Sequence, residues 1–339
     1  MRYSLLILLT SAMLWIGCGV NEEDQGNPGK STAFILCEGN FQNSNAALWS
    51  FDPNESMTEN QILGGSSLGD VGQSLTYVNN KLYVVVNNSH KIEILSVGDE
   101  ISHEGTISFN NAGPRHIVVD GSQGYASCWN LSAILVLDLV NRAVIDTISV
   151  SGMPEDLILD GSSLYASIPS NADWSSASSV VEISTSSKEV VKSYDVISGP
   201  NDMELIESDL FVASTYYGAN WSTTTGLSKI DLSTGTVTTN TDGSDSGVVK
   251  GDLVKAGEIL YRATTTGLAP VNMDLSLDMD NIVGGQTNVY SASSDEDFLY
   301  FGTTDYVAPD TVFVTDHKGT YLDQFIVGAI PGDFVTKIN

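Results

Sequence analysis

Apolar and polar positions alternate in short blocks along nearly the whole chain. The blocks are clearest between residues 113 and 150, where four apolar runs begin near Ile117, Tyr125, Ala133 and Ala143. The runs are rich in β-branched and aromatic residues, and Gly, Asn, Asp or Ser bound each of them. Runs of this length and composition between turn residues are typical of β-strands. The pattern predicts four consecutive strands joined by short turns, which make an antiparallel meander.

The four-strand unit recurs along the chain, and the recurrence predicts the fold. First strands are predicted at 73–78, 115–120, 155–160, 201–206, 251–256, 287–292 and 332–338, and seven second strands are predicted as well. Their spacing averages about 43 residues, which is the size of a four-stranded propeller blade. One such unit cannot bury both of its faces alone, so the units must stack in a ring. We therefore predict an all-β fold, a seven-bladed β-propeller of four-stranded antiparallel blades.

The two ends of the propeller region complement each other. Residues 33–37 match a second strand with no first strand before it, and residues 332–338 match a first strand. If the two segments share one blade, pairing of the N- and C-terminal strands closes the ring and leaves no open sheet edge. We expect residues 32–339 to form this single propeller domain.

The N-terminal segment has the features of an export signal. Arg2 precedes an apolar stretch, and Gly17 precedes Cys18, as in a bacterial lipoprotein signal with an imperfect lipobox. We predict a signal peptide at 1–17, lipidation at Cys18 and a flexible acidic tether at 18–31. The cluster Glu22–Asp24 resembles the surface-export signal of Bacteroidetes lipoproteins, which predicts an outer-membrane, cell-surface location. The alternatives are an ordinary secretory signal and a merely soluble linker.

Composition and charge exclude several classes of function. The chain of 339 residues has 42 acidic and 14 basic side chains, which gives a net charge of −28. Nucleic-acid binding requires a clustered basic surface, so no nucleic-acid partner is expected. No apolar stretch beyond the N-terminus is long enough to span a membrane, so we expect membrane attachment only through the lipid anchor. Cys37 and Cys128 are predicted to be small buried hydrophobic residues rather than a disulfide.

The loops predict which face of the propeller binds a ligand. Loops between blades and loops joining second to third strands emerge on one face, and these are long and rich in aromatic and amide residues. Tyr and Trp offer broad contact area, and Asn offers directional hydrogen bonds, which suits a flat organic ligand or a sugar. The alternative for any single ring is packing beneath its own loop. The predicted ligand-binding residues are Asn40, Phe41, His90, Arg115, Trp129, Trp174, Tyr216, Tyr217, Trp221 and Tyr306.

Arg115 and His90 are predicted near the inner mouth of this face, where they could meet a carboxylate or phosphate of the ligand. Arg115 is equally suited to pair with a neighbouring carboxylate of the protein.

No catalytic or metal-binding constellation stands out. The segment 65–69 matches G-x-S-x-G, but it lies in a predicted inter-blade loop rather than between a strand and a helix. The four histidines lack metal-ligand spacing. The segment 242–247 resembles the start of a calcium loop but has Leu253 where the closing acid belongs. We expect a binding protein without catalytic residues, metal or cofactor.

Four segments resemble one known family: 34–41, 68–74, 81–89 and the pair Pro114–Arg115. Over residues 33–339 the chain is similar to the YVTN-type propeller lipoproteins of Bacteroidetes. The best-understood members resemble a cobalamin-capturing lid over an outer-membrane TonB-dependent transporter. The resemblance therefore implies capture of a small-molecule ligand, such as cobalamin or another corrinoid, and a TonB-dependent transporter as partner.

Three other functions stay open. One is capture of a glycan, with Trp174 and Trp221 as stacking platforms. Another is a scaffold for an envelope protein. The last is an enzyme, which would need a convergent catalytic cluster at the central mouth.

Overall fold

A computed structural model describes residues 31–52, 58–59, 67–98, 100–217, 222–244, 247–248, 250–307 and 309–338. The predictions for the signal peptide, Cys18, the tether up to residue 30 and Trp221 lie outside these residues. Within the described residues, no helix is long and apolar enough to cross a membrane.

The strands form seven antiparallel sheets arranged as the blades of a propeller, which confirms the predicted fold. In each blade, one strand faces the central axis, and the inner strands of neighbouring blades contact one another. These inner strands coincide with the predicted first strands. Blade 1 consists of β1 (Ser31–Cys37), β2 (Ala47–Phe51), β3 (Thr58–Glu59) and the inner strand β27 (Pro331–Ile338).

The other six blades follow in chain order, and each begins with its inner strand. Blades 2 and 3 consist of β4 (Gly72–Val78), β5 (Lys81–Val86), β6 (Lys91–Val97) and β7 (Ile101–Ser108), and of β8 (Pro114–Asp120), β9 (Gln123–Cys128), β10 (Ala133–Asp138) and β11 (Ala143–Ser149). Blades 4 and 5 consist of β12 (Leu157–Asp160), β13 (Ser163–Ser170), β14 (Ser176–Ser184) and β15 (Glu189–Asp195), and of β16 (Pro200–Ile206), β17 (Asp209–Tyr217), β18 (Thr223–Asp231) and β19 (Thr236–Ser244). Blades 6 and 7 consist of β20 (Leu253–Ala256), β21 (Ile259–Thr264) and β22 (Gly267–Pro270), and of β23 (Val289–Ser294), β24 (Phe298–Thr303), β25 (Asp310–Asp316) and β26 (Tyr321–Val327).

Blade 1 closes the ring in the predicted way. Strand β1 pairs with β27 from Ser31 opposite Ile338 to Cys37 opposite Pro331, and it also pairs with β2. Because β1 lies between β27 and β2, both of its edges are covered by hydrogen bonds, and β27 takes the inner position that the first strand occupies in the other blades.

Blade 6 differs from the others at its outer edge. Its sheet has three strands in the described structure, and segment 271–288 follows the third one. A single bridge joins Leu268 of β22 to Val283, and a second bridge, Val271 to Leu277, closes a turn within the segment. The segment therefore covers the edge where other blades have a fourth strand.

The hydrophobic core lies between the blades. In the cluster between blades 2 and 3, for example, Tyr83 and Ile94 pack with Ile117 and Leu137. Each sheet contributes alternate side chains to the two interfaces beside it, as expected of strands buried on both faces. The core therefore consists of seven inter-blade layers rather than one centre.

The two described cysteines are buried and do not form a disulfide, as predicted. Cys37 lies in β1 and Cys128 in β9, each in the second strand of its blade. Burial raises the pKa of the Cys128 thiol to about 12, which keeps it protonated and unreactive at neutral pH.

Candidate ligand-binding site

A β-bulge recurs near the start of the inner strands. The pairing register shifts by one residue there in five blades. A bulge adds an unpaired residue to one strand and re-aims its side chain. The residues at the shifts are Gln73, Arg115, Asn201, Tyr290 and Gly332, and the four with side chains line the central cavity.

The residue after each of these positions joins its blade to the next one. Asp333 of blade 1 accepts a hydrogen bond from the Leu75 N–H of blade 2 at 2.7 Å, and Ser74 donates to the Arg115 carbonyl of blade 3 at 2.7 Å. The same position is occupied in the seven blades by Ser74, His116, Asp156, Asp202, Asp252, Ser291 and Asp333. We call this ring the girdle.

The remaining girdle contacts complete the ring. They are His116 Nδ1 to Asp156 Oδ1 at 3.4 Å, Met203 N–H to Asp156 at 2.9 Å, Leu253 N–H to Asp202 at 2.6 Å, Ala292 N–H to Asp252 at 3.1 Å and Ser291 hydroxyl to the Pro331 carbonyl at 2.5 Å. Intramolecular hydrogen bonds contribute about 0.5–1.5 kcal/mol each to stability, so the contacts of the girdle together fix the inner strands against one another.

A cavity of about 1040 Å³ opens above the girdle. Its wall consists of the inner-strand starts, the inter-blade loops and the loops between second and third strands, which is the face predicted to bind a ligand. We call this cavity the bowl. Ordinary small-molecule sites occupy about 300–1,000 Å³, so the bowl has room for a large organic ligand.

One wall of the bowl combines two tryptophans with an ion pair. The rings of Trp129 and Trp174 meet edge to face, with centroids 5.7 Å apart. The Arg115 guanidinium lies 4.0 Å from the Trp129 ring centroid and donates to both carboxylate oxygens of Glu155, at 2.6 and 2.8 Å. It also donates to Gln73. The Arg115 charge is thus compensated within the protein, the second of the two predicted roles.

The wall contributed by blade 7 also combines a pair of aromatic rings with a cation and a carboxylate. The rings of Tyr290 and Tyr306 meet edge to face at 5.9 Å, and Lys250 lies 5.9 Å from the Tyr290 centroid. The Tyr290 hydroxyl donates to Glu38 at 2.9 Å. Since blade 7 lies about half a turn of the seven-blade ring from blades 3 and 4, the two aromatic pairs face each other across the bowl.

Lys250 is held by several groups at once. Its ammonium donates to the Gly332 carbonyl and lies 3.5 Å from Asp252. A side chain at position 332 would collide with the Glu38 carboxylate, so the glycine leaves room for Glu38 in the wall.

Trp174 and Tyr306 occupy backbone conformations that large side chains rarely adopt. Their φ angles are 66° and 65°, and their exposed fractions are 67% and 55%. Left-handed conformations of non-glycine residues cost about 1–3 kcal/mol and concentrate at functional sites. An exposed ring gains little packing energy, so packing within the protein does not offset the cost of the left-handed backbone at Trp174 and Tyr306.

Trp174 lies in a five-residue turn that occurs twice in the chain. In 171–175 the Asn171 amide donates to Ser175 Oγ, and Asp173 accepts from the Ser175 N–H, both at 3.0 Å. The segment 272–276, also of the form Asn-x-Asp-x-Ser, makes the same bonds. Its fourth residue, Leu275, has a φ of 65° but is only 1% exposed. The same backbone thus directs Leu275 into the core and Trp174 to the bowl rim.

Acidic groups in the bowl floor hold their protons unusually tightly. Burial, aided by the Asp252 charge, raises the pKa of Asp202 to about 8, and burial raises the pKa of Asp333 to about 6. Burial also raises the pKa of Glu38 and lowers that of His116 to about 4. For Lys250 burial alone lowers the pKa, but the Asp252 and Asp333 charges outweigh it and the pKa is raised.

The structure brings six of the ten predicted ligand-binding residues together in the bowl lining. These are Arg115, Trp129, Trp174, Tyr216, Tyr217 and Tyr306. Asn40 instead donates to the Tyr306 carbonyl at 3.1 Å and supports that loop. Phe41 is exposed outside the lining, and His90 Nδ1 accepts from the Gly113 N–H.

The sequence reasoning missed most of the polar lining, above all Glu38, Lys250, Asp252 and Tyr290. One signal could have found part of it. The tripeptides Pro154–Asp156, Pro200–Asp202 and Pro331–Asp333 all have the form Pro-x-Asp just before or at an inner strand.

Among the described residues, no group of three or more His, Cys, Asp or Glu side chains is arranged to hold a metal ion. Within the part of segment 65–69 that the structure describes, Ser67–Gly69 form a loop that leads into β4.

Comparison with known proteins supports the architecture. No protein-family model and no curated protein matches the chain. A solved structure from Bacteroides fragilis, described as a putative 6-phosphogluconolactonase, is 14% identical, with a TM-score of 0.65 over 92% of this chain and 99% of that one. A functionally unknown protein from Desulfotomaculum acetoxidans is 11% identical, with a TM-score of 0.64 over 90% and 98%. Apo AztD from Citrobacter koseri is 8% identical, with a TM-score of 0.51 over 91% and 98%. At these identities the similarity shows the fold alone: the chain is a seven-bladed β-propeller.

Proposed function

We propose that this protein captures a large organic ligand in the bowl and that the ligand is cobalamin or another corrinoid. The proposal includes lipid anchoring at Cys18 on the cell surface and delivery of the ligand to an outer-membrane TonB-dependent transporter. The resemblance of segments 34–41, 68–74 and 81–89 to the propeller lipoproteins of Bacteroidetes supports this choice of ligand and location.

The observation that carries the proposal is the aromatic rim of a bowl of about 1040 Å³. Trp174, Tyr217 and Tyr306 are each more than half exposed, and Trp174 and Tyr306 are held there by strained backbone. Exposed aromatic rings around a concave site are favourable only when a partner covers them. A broad, flat molecule with hydrogen-bonding groups at its edge suits both the rings and the polar wall below them.

Calorimetric titration with cyanocobalamin tests the proposal. The chain with Cys18→Ser avoids lipidation, and Trp174→Ala removes one exposed ring. We expect one-to-one binding and a loss of about tenfold or more in affinity for Trp174→Ala, as for an aromatic hot spot. Tyr321→Ala is the matched control, because Tyr321 is similarly exposed on β26, outside the bowl lining. If cyanocobalamin does not bind, or if Tyr321→Ala loses as much affinity as Trp174→Ala, the corrinoid proposal is wrong.

A glycan is the second candidate, and the surroundings of Trp174 favour it. The bowl lining places the exposed Trp174 ring beside the hydroxyls of Ser175 and Ser176, a combination that suits stacking and hydrogen bonding of a sugar. Titration with oligosaccharides against the same two variants distinguishes this candidate from a corrinoid. No lactonase activity is proposed, since the similarity to the Bacteroides fragilis structure is confined to the fold.

A further inference from the structure

Acidic side chains outnumber basic ones in the bowl lining. Five carboxyl groups line the bowl, those of Glu38, Glu155, Asp202, Asp252 and Asp333, against two permanent cations. Arg115 is paired with Glu155 at 2.6 Å, and Lys250 lies 3.5 Å from Asp252. Each cation is thus already matched by one carboxylate of the wall.

The other three carboxyl groups have hydrogen bonds but no ion-pair partner within 4.0 Å among the described side chains. Glu38 accepts from the Tyr290 hydroxyl, Asp202 from the Leu253 N–H, and Asp333 from the N–H groups of Leu75 and Phe334. These neutral donors leave further lone pairs free, because an ionised carboxylate accepts about four hydrogen bonds.

An amide oxygen beside Asp202 also lacks a partner. Asn201 lies in the bowl wall next to Asp202, at the β16 bulge. Its Nδ2 donates to the Lys250 carbonyl at 2.9 Å, which fixes the orientation of the amide. Its Oδ1 is buried and has no hydrogen-bond partner in the described part of the chain. Buried polar atoms are nearly always satisfied, so an orphaned acceptor in a cavity wall indicates a donor supplied from outside.

We propose that the bowl selects an organic cation, a flat ligand whose positively charged N–H or metal-centred group faces the carboxyl-rich floor. The exposed rings of Trp174, Tyr217 and Tyr306 contribute stacking and cation–π attraction at the rim. Glu38, Asp202 and Asp333 supply the countercharge, and Asn201 Oδ1 accepts a ligand hydrogen bond. This inference rests on the proposed function of the bowl as the ligand site.

The overall negative charge of the chain also favours a cationic ligand over an anionic one. A net charge of −28 creates a negative potential, and a cleft focuses such a potential. Anions are therefore repelled from the bowl. Among corrinoids, a cobalt(III) form with water in place of cyanide has one more positive charge, so we expect it to bind more tightly than cyanocobalamin.

The inference makes the affinity pH-dependent. A cation stabilises the ionised carboxylates, so binding releases protons and strengthens as pH rises through the pKa values of Asp333, about 6, and Asp202, about 8. At acidic pH the protonated groups offer no countercharge. The charged and titratable groups that interact with Glu38, Asp202 or Asp333 are Arg115, Asp156, Glu204, Lys250, Asp252, Arg262, Tyr290 and Tyr306.

Two fluorescent probes of similar shape and opposite charge test the inference. Proflavine is a planar aromatic cation, and fluorescein is an anion with a planar three-ring xanthene core. We expect proflavine to bind the full chain one-to-one and more tightly than fluorescein by at least about tenfold, the factor that corresponds to 1.4 kcal/mol. Its affinity should fall by a similar factor between about pH 8 and pH 5.5, a range in which Asp202 and Asp333 become protonated.

Glu38→Gln is the informative variant, because glutamine keeps an acceptor for the Tyr290 hydroxyl but removes the charge. We expect it to weaken proflavine binding about fivefold at pH 8 and less at pH 5.5, because burial raises the pKa of Glu38 and the wild-type group therefore carries less charge at the lower pH. Asp323→Asn on the outer strand β26 is the control for non-specific binding to an acidic surface and should change nothing.

The outcomes separate this inference from the proposed function. Binding of fluorescein or cyanocobalamin that depends on Trp174, with proflavine no tighter, would overturn the cation inference and leave the bowl as the ligand site. Proflavine binding that Trp174→Ala or Glu38→Gln leaves unchanged would also overturn it. If no planar probe of either charge binds in a Trp174-dependent way, both the inference and the proposed function fail.

Discussion

Replacing Trp174 with glycine and, separately, with alanine distinguishes a strained functional side chain from an ordinary exposed one. Both changes remove the indole ring and its edge contact with Trp129, which is worth about 0.5–1.5 kcal/mol. Both also remove the third of the side chain that is buried. Only glycine relieves the left-handed backbone at a φ of 66°.

The magnitude follows from two opposing terms. A left-handed residue with a Cβ costs about 1–2 kcal/mol, whereas glycine loses about 0.5–1 kcal/mol more conformational entropy on folding. We therefore expect Trp174→Gly to be more stable than Trp174→Ala by about 0.5–1 kcal/mol. At an ordinary extended position the order would be reversed. Ligand binding should be lost to the same extent in both variants, because both lack the ring.

Equilibrium unfolding in urea measures this difference, with the two midpoints compared at equal slope. Leu275 provides the matched control, since it occupies the same turn with the same φ but is buried. Leu275→Ala and Leu275→Gly should each cost about 2–5 kcal/mol through the cavity they leave, with glycine again the less costly. If Trp174→Ala equals or exceeds Trp174→Gly in stability, the backbone is not strained and the argument is wrong.

Two further predictions concern the girdle and the anchor. Burial raises the pKa of Asp202 from 3.8 to about 8, so the folded state binds the Asp202 proton more tightly than the unfolded state does. The contribution of this group to the free energy of unfolding is therefore present at low pH and is lost as pH rises toward 8. Wild-type protein should lose unfolding free energy between about pH 5 and pH 8, and Asp202→Asn should lose less, by up to about 1.4 kcal/mol per pH unit. If urea unfolding gives the same pH profile for both proteins, this prediction is wrong. Cys18→Ser should move the protein from the membrane fraction to the soluble fraction of cells that express it, and continued membrane association would contradict lipidation at Cys18.

Local patterning of the sequence was sufficient for the architecture. The period of about 43 residues predicts the blades because each strand must present alternate apolar side chains to two neighbouring interfaces. The unmatched strands at residues 33–37 and 332–338 predict the closure that β1 and β27 make. The contrast between long aromatic loops and short polar turns predicts the face on which the bowl opens.

The polar lining of the bowl depends on tertiary structure. Glu38 and Lys250 come from distant parts of the chain and meet Tyr290 only because blades 1, 6 and 7 are neighbours in the closed ring. The described part of blade 6 has three strands for a similar reason: the bridge between Leu268 and Val283 holds segment 271–288 against its edge.

The repeated Asn-x-Asp-x-Ser turn separates what the local sequence determines from what the tertiary structure determines. The motif determines the backbone in both copies, because its side-chain hydrogen bonds are local. It does not determine burial: Leu275 lies in the core and Trp174 at the bowl rim, according to what the rest of the ring places around each turn. Hydrogen bonds between near neighbours are encoded locally, whereas burial, ion pairing and pKa shifts are properties of the surroundings, which exist only after the blades have packed.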